Sequence, residues 1–222
     1  MNSILQRFGL VFIAAVFIFT ACNKDKKNAI HIEGKVYDPN TQEYIAGASV
    51  TIAASKLSSG GIFSSGYDNI ATTTTDGSGT FIFDFKEEKV AGYEITIAKD
   101  HYFGQIIDLT TSDIIAGTTF SPVYDIYPES FIKMNVQNFY PSDTNDHIAY
   151  SFTAGWVSCY ECCDNTTYQG LGLYYTDTIV CRTYGNQNVT VTYNVTKGGG
   201  TVQHTLTHYC NAFDTTKFNI LY

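Results

Sequence analysis

From Ile30 onward the hydrophobic positions recur every second residue, the period of a strand with one buried face. Ile30, Ile32, Gly34 and Val36 share one face; so do Ala48, Val50 and Ile52, and then Tyr93, Ile95 and Ile97. Phe81, Phe83 and Phe85 form the clearest run, with Ile82 and Asp84 opposite. Further strands are expected near Tyr102 to Leu109 and Phe120 to Tyr127. Turn clusters separate these runs: Asp38-Pro39-Asn40, Ser58-Ser59-Gly60-Gly61 and Asp76-Gly77-Ser78-Gly79. The Ser- and Gly-rich segment Leu57 to Tyr67 reads as a mobile loop. A second set starts near Pro128. Ile132, Met134 and Val136 alternate, as do Ile148, Tyr150 and Phe152, and Val189, Val191, Tyr193 and Val195. Gly198-Gly199-Gly200 turns the chain into a hairpin partner, Val202 to Cys210, and a last strand falls near Phe218 to Tyr222. The pattern predicts an all-β chain of two tandem β-sandwiches, residues 30–127 and 128–222, each near the usual size of about 100 residues.

The N-terminus follows a different rule. Arg7 is the only charge in the first 22 residues, and it precedes an apolar run from Leu10 to Phe19. That run is about half of the roughly 20 residues a membrane-spanning helix needs, so it reads as a secretory signal. The string Phe19-Thr20-Ala21-Cys22 resembles the lipobox of bacterial lipoproteins, with Phe19 in place of the usual Leu. The resemblance implies that residues 1–21 are removed and that Cys22 is acylated, with two or three acyl chains as in those lipoproteins. Stable anchoring requires more than one chain. Residues 22–29 then form a charged tether. Lys24-Asp25 is similar to the charged signals that send some lipoproteins to the outer face of the outer membrane. The expected location is the outer membrane, lipid-anchored, on the periplasmic face or at the cell surface. The alternative is an ordinary cleaved signal and a soluble secreted product.

Composition narrows the function classes. Charged residues are 15% of the chain, against about 25% in an average soluble domain. Thirteen Lys and Arg face 21 Asp and Glu, a net charge of -8, which argues against a nucleic-acid binder. Loss of Arg7 with the signal would leave -9. Arg182 is the only Arg after the signal, so recognition of phosphates by arginine forks is nearly excluded.

Four strings in the first half carry a second resemblance: Gly34 to Asp38 (GKVYD), Ile45 to Ile52 (IAGASVTI), Thr74 to Phe85 (TTDGSGTFIFDF) and Tyr93 to Gln105. Together they resemble the carboxypeptidase regulatory-like domain, a transthyretin-like β-sandwich. The fold expectation becomes two tandem Ig/transthyretin-like sandwiches, the second containing the cysteines. The motif residues have folding roles. Gly47 and Ala48 allow a tight entry into a strand, and Asp76 and Gly79 build the turn before the Phe-rich strand. In that family the domain is an accessory, so the resemblance implies a non-enzymatic module. His31 and Glu33 are two apart on one strand face, and nothing else matches the ligand set of a zinc carboxypeptidase.

Chemistry has few other places to reside. Cys159, Cys162, Cys163, Cys181 and Cys210 all lie in the second half, and an exported chain favours disulfides. The preferred bridge is Cys181 to Cys210, tying two strands; a second would join Cys159 to Cys162 or to Cys163 within one loop. One thiol is left over. Cys159-x-x-Cys162 has zinc-ligand spacing but lacks a second pair, and no metal site is assigned. His204 and His208 fall about 13 Å apart on one strand face, too far to share an ion. Residues 141–146 space oxygen ligands like the start of a calcium loop, yet lack its downstream Gly and Glu, and Asp and Asn in such runs usually form turns. No nucleophile elbow, phosphate loop or His-Glu-x-x-His is present, and no cofactor is implied. Aromatic residues, Trp156, Tyr160, Tyr174 and Tyr175 with Tyr168, crowd the loops around the cysteines and are the candidate binding residues. The functional expectation is an envelope lipoprotein that serves as an interaction or accessory module, with membrane contact through its anchor and an envelope protein or a glycan as partner. The alternative is a surface carbohydrate-binding lipoprotein.

Overall fold

The structure is a computed structural model that describes residues 28–56 and 66–222. Its strands are, in order, β1 (Ala29–Asp38), β2 (Glu43–Tyr44), β3 (Ser49–Lys56), β4 (Asp68–Thr74), β5 (Thr80–Lys86), β6 (Val90–Ala98), β7 (Tyr102–Phe103), β8 (Gln105–Thr110), β9 (Thr119–Phe120) and β10 (Val123–Asp125). There follow β11 (Tyr127–Gln137), β12 (His147–Ala154), β13 (Tyr168–Leu171), β14 (Thr176–Tyr184), β15 (Gln187–Lys197), β16 (Gly200–Cys210) and β17 (Thr215–Leu221). The signal peptide, Cys22, the tether up to Lys27 and most of the Ser- and Gly-rich segment lie outside the described residues.

The alternation in the sequence becomes alternation in burial. Along β1, Ile30, Ile32, Gly34, Val36 and Asp38 face inward while the residues between them face out. In the first half, β1 gathers β5, β2, β9 and β10 into one sheet, and β4-β3-β6-β8 forms the other. Between them lies a core that includes Ile32, Val50, Ile52, Phe81, Phe83, Ile95 and Ile97. In the second half, β14-β11-β17 faces β13-β12-β15-β16, and Met134, Ile148, Tyr150, Phe152, Val191 and Phe218 fill the space between. The architecture is all-β, with two hydrophobic cores.

One contact explains a motif. Gly34 pairs with Phe81, and a Cβ built on Gly34 would lie 2.3 Å from the Phe81 Cζ atom. The phenyl ring therefore lies across the β1 backbone, where only glycine leaves room. The turn before β5 is fixed by Asp76, whose Oδ1 accepts from Thr80 N (2.9 Å), Ser78 Oγ and Ser78 N (both 2.8 Å). Those bonds, the Thr80 amide first, hold the Asp76 carboxyl below its ordinary range. Gly79 closes the turn at φ +71°.

Several features were not legible in the alternation, and the run expected from Phe120 to Tyr127 divides into the end of β9, β10 and the start of β11. The run expected from Tyr102 to Leu109 divides at Gly104, so that β8 pairs with β6 while β7 turns away to pair with the start of β11. The edge strand β4 (DNIATTT) has too few apolar residues to show a period.

The break at Gly104 builds the junction between the two halves. β7 pairs Phe103 with Tyr127 and Tyr102 with Pro128, and Glu129 N donates to His101 O at 2.8 Å. Tyr184 stacks on Tyr127 with ring centroids 4.1 Å apart and takes Phe103 edge-on at 4.8 Å. The Arg182 guanidinium lies 5.1 Å from the Phe103 ring centre, and Glu129 pairs with it at 3.2 Å. Asn40 Nδ2 donates to Gly185 O at 3.0 Å. Asp38, the last inward position of β1, accepts from Asn40 N and from Asn186 Nδ2. Only Ile126 separates β10, which runs parallel to the end of β1, from β11. The chain thus leaves the first sandwich at the Asp38 end and enters the second through β11. Ala29 stands at the opposite end of β1.

The cysteines pair differently from the preferred expectation. Cys163 is bonded to Cys181 and Cys159 to Cys162, and Cys210 is a buried free thiol. The expected Cys181–Cys210 bridge is absent because the loop after β12 folds back onto β14. Cys162 bridges to Arg182 and Cys163 N donates to Arg182 O at 2.8 Å, which brings Cys163 to a Cα separation of 4.9 Å from Cys181. Cys210 packs in the second core, where burial pushes its thiol up against a smaller opposing hydrogen bond with Thr216.

Two outcomes follow. Tyr184→Ala removes two ring pairs at the junction and should cost about 1–3 kcal/mol; denaturant unfolding measured at Trp156 and by far-UV dichroism should lose coincidence. Cys163→Ser with Cys181→Ser opens a bridge of sequence separation 18 and should cost about 3 kcal/mol, read as a lower urea midpoint under oxidising conditions.

Candidate functional site

The strand registers sort the candidate aromatics into different places. β11 ends at Gln137 beside Thr176 and Leu221, and β12 begins at His147 beside Leu171 and Thr196. The loops carrying Phe139, Tyr140 and Tyr174, and Leu171 at the end of β13, therefore gather at the end of the second sandwich remote from the junction. The loop carrying Trp156, Tyr160 and Cys159–Cys163 leaves the other end of β12 and returns across Arg182. Along β14, Thr176 and Arg182 are roughly 20 Å apart. The aromatic residues expected in one cluster around the cysteines thus form two groups. Trp156 (42% exposed) and Tyr160 (90%) belong to the cysteine loop, and Tyr174 (87%) belongs to the far tip.

Tyr175 takes no part in either surface. Its ring lies over Gly170, where a Cβ would meet ring carbons at 2.3–2.4 Å. Its hydroxyl lies 3.1 Å from that of Tyr150, which donates to Asp177 Oδ2 at 2.7 Å. Burial first, and then those hydrogen bonds to Tyr175 and Asp177, push the Tyr150 hydroxyl up strongly, so it remains a donor. Tyr168 stacks on Tyr150 with centroids 5.5 Å apart. These tyrosines pack and brace the core.

His204 and His208 also have packing partners. His204 stacks on Tyr193 at 5.0 Å, and His208 meets the Phe218 ring edge-on at 4.7 Å. Among the described residues no group of His, Cys, Asp and Glu is placed to hold a metal ion. His31 donates through Nδ1 to Asp84, its partner across the sheet, at 2.8 Å, and lies 3.9 Å from Glu33. The open cleft beside it, about 320 Å³, is lined by Ala29, Gly117, Thr118 and Thr119 in addition to His31 and Asp84. It therefore carries one carboxylate.

The far tip is held together by Asp146, the last residue of the calcium-like loop and fully buried. Its carboxylate accepts from Ser142 Oγ (2.5 Å), Ser142 N (2.8 Å), Asn138 Nδ2 (2.9 Å) and Asp143 N (3.3 Å). The Lys197 ammonium lies 3.7 Å from the same carboxylate. Lys197 also donates to Tyr140 O (2.6 Å) and Asn138 Oδ1 (2.8 Å) and covers the Tyr222 ring at 4.9 Å. Phe139 N and Tyr140 N both donate to Tyr222 O, and Gly172 N donates to Asp146 O. The exposed rings of Phe139 and Tyr140 are thus mounted on a buried ionic node. Nothing in the alternation of the sequence marks it, since its acid and its base are 51 positions apart.

The sign of the pH dependence follows from this geometry. Burial alone would raise the Asp146 carboxyl, but the bonds from Ser142, Asn138 and Asp143 outweigh it and hold the group well below the carboxylate range. A group with a depressed folded pKa contributes stability that is complete above its unfolded value, about 4. That stability is lost as pH falls toward the folded value. Asp146→Asn should therefore lower the melting temperature at pH 7 and flatten the acid limb below pH 4. Equal acid limbs for the two proteins in melts from pH 7 to pH 2 would refute the assignment.

No family model matches the chain, and no curated protein matches it. Solved structures do superpose on it. The Bacillus anthracis TIE protein is 13% identical over 87% of this chain, with a TM-score of 0.35, and the chain spans about a third (34%) of that protein's length. The shaft pilin SpaA of Lactobacillus rhamnosus GG is 11% identical over 86% of this chain and 96% of its own, at 0.32. The major pilin SpaD of Corynebacterium diphtheriae is 9% identical over 84% and 67%, at 0.34.

Proposed function

We propose that the protein is a non-enzymatic accessory module of the cell envelope that carries an aromatic tip away from a lipid anchor at Cys22. The observation that carries this reading is the polarity of the fold. The chain enters at Ala29, at one end of β1, and the two sandwiches follow head to tail, so that Phe139, Tyr140, Leu171 and Tyr174 stand at the far end. At about 3.3 Å per residue, β1 and β11 alone span roughly 30 Å each. A tether on Cys22 would then leave the tip as the part of the molecule furthest from the membrane. Exposed aromatic and aliphatic side chains in such a position are suited to a protein or glycan partner. The resemblance of the first sandwich to carboxypeptidase regulatory-like domains fits an accessory role, and the outer membrane is the location this reading assigns.

A second reading is favoured by one observation. Trp156 and Tyr160 are exposed on the cysteine loop, which a disulfide constrains, and rigid aromatic faces of this kind bind sugars. On this reading the protein is a surface carbohydrate-binding lipoprotein.

The anchor is tested by growth with labelled palmitate. Label should enter the wild-type protein and be lost in Cys22→Ser; equal label in both would defeat the anchored reading. The second reading is tested on a glycan panel. Specific binding that falls at least tenfold in Trp156→Ala supports it, and no binding to any glycan removes it.

A further inference from the structure

The two disulfides differ in burial. Cys163 is buried, and its bond to Cys181 lies within the second core. Cys159 is exposed and Cys162 is half-buried, on a loop that the structure leaves open to solvent. They are joined through Tyr160 and Glu161, and Glu161 holds φ at +63°, a left-handed backbone conformation that a non-glycine residue adopts at a cost. Closing the bond within a four-residue segment is accompanied by that conformation. Arg182 supplies the electrostatic element, with its Nη2 3.9 Å from the Cys159 sulfur. A guanidinium beside a sulfur favours the thiolate, the form that attacks and leaves in disulfide exchange. Arg182 is held in place by Glu129 at 3.2 Å and by the face of Phe103. The other charged groups of this region are acidic: Glu161 and Asp164 of the loop itself, and Glu129, which pairs with Arg182; Arg182 is the cation beside the Cys159 sulfur.

We propose that Cys159–Cys162 is a redox-active couple that exchanges with an external dithiol or disulfide, with Cys159 as the exchanging sulfur and Arg182 as its positioning residue. In the reducing direction, one thiolate of the dithiol attacks Cys159 Sγ. A mixed disulfide forms, the Cys159–Cys162 bond breaks, and Cys162 leaves as a thiolate that takes up a proton. The second thiolate of the dithiol then attacks its own sulfur in the mixed disulfide. Cys159 is released as a thiolate beside Arg182, and the dithiol has become a disulfide. Two electrons pass to the protein. The oxidising direction is the reverse, with Cys159 attacking an external disulfide. Cys163–Cys181 and the buried Cys210 take no part, so the couple can turn over without opening the core.

The full-length protein is titrated with dithiothreitol, then alkylated and mapped by mass spectrometry. Cys159 and Cys162 should become labelled at reductant concentrations at least tenfold below those that label Cys163 and Cys181, with native circular dichroism retained. Glutathione should give a mixed disulfide on Cys159. Simultaneous opening of both bridges, or protection of Cys159–Cys162 until the protein unfolds, would overturn the proposal. The role of Arg182 is read from the pH dependence of alkylation at Cys159 after reduction. Arg182→Gln should shift the midpoint upward, and Arg182→Lys should restore most of the shift. An unchanged midpoint in Arg182→Gln, with the fold intact, would remove Arg182 from the site.

Discussion

The arrangement of this molecule depends on the strand line that passes from β10 through Ile126 into β11. Because β10 runs parallel to the end of β1 and only Ile126 separates it from β11, the chain passes into the second sandwich from the Asp38 end of the first. That connection orders the two halves. It puts Ala29 at one extreme and the loop after Gln137 at the other. The Tyr127, Tyr184 and Phe103 rings, with the Arg182 guanidinium over Phe103, then hold the two halves in that order. Hydrogen bonds from Asn40 and Asn186 span the same junction, so it has both apolar and polar fastening.

The fold class was readable because each sandwich core is built by period-two runs that few other structures accommodate. Phe81-x-Phe83-x-Phe85 can bury one face only as a strand, and its partner β1 shows the same alternation. Register was not readable, yet one residue hints at it: Gly34 stands where a side chain would be expected, and the Phe81 ring occupies the space. Edge strands escaped notice for a physical reason. A strand such as β4 buries little, so it needs no apolar period, and its assignment comes from pairing with β3. The division of the Tyr102–Leu109 run was hidden in a similar way, since β7 is taken up by a partner strand some 25 positions further on.

The candidate site was legible as a set of residue types but not as a place. Tyr174 and Tyr175 are neighbours in sequence, and one is exposed while the other lies on Gly170 and braces Tyr150. Alternation alone says that they differ, not which faces solvent, because both precede the first paired residue of β14. The cysteines pose the same problem. Spacing favours a local bridge such as Cys159–Cys162, but the partner of Cys181 is decided by a loop folding over β14, which is a tertiary event. Asp146 and Lys197 likewise meet only because β12 and β15 are paired.

Sulfur and charge meet at one residue, and this links the architecture to the chemistry. Arg182 is the sole arginine of the chain after residue 7, and three separate demands converge on it. Its backbone pairs with the cysteine loop, its guanidinium covers Phe103 of the first sandwich, and one of its nitrogens reaches the Cys159 sulfur. Lysine would supply the charge but neither the planar face over the ring nor the fork that spans Glu129 and the sulfur at once. The side chain beside the Cys159 sulfur is thus the one that also packs on Phe103 of the first sandwich.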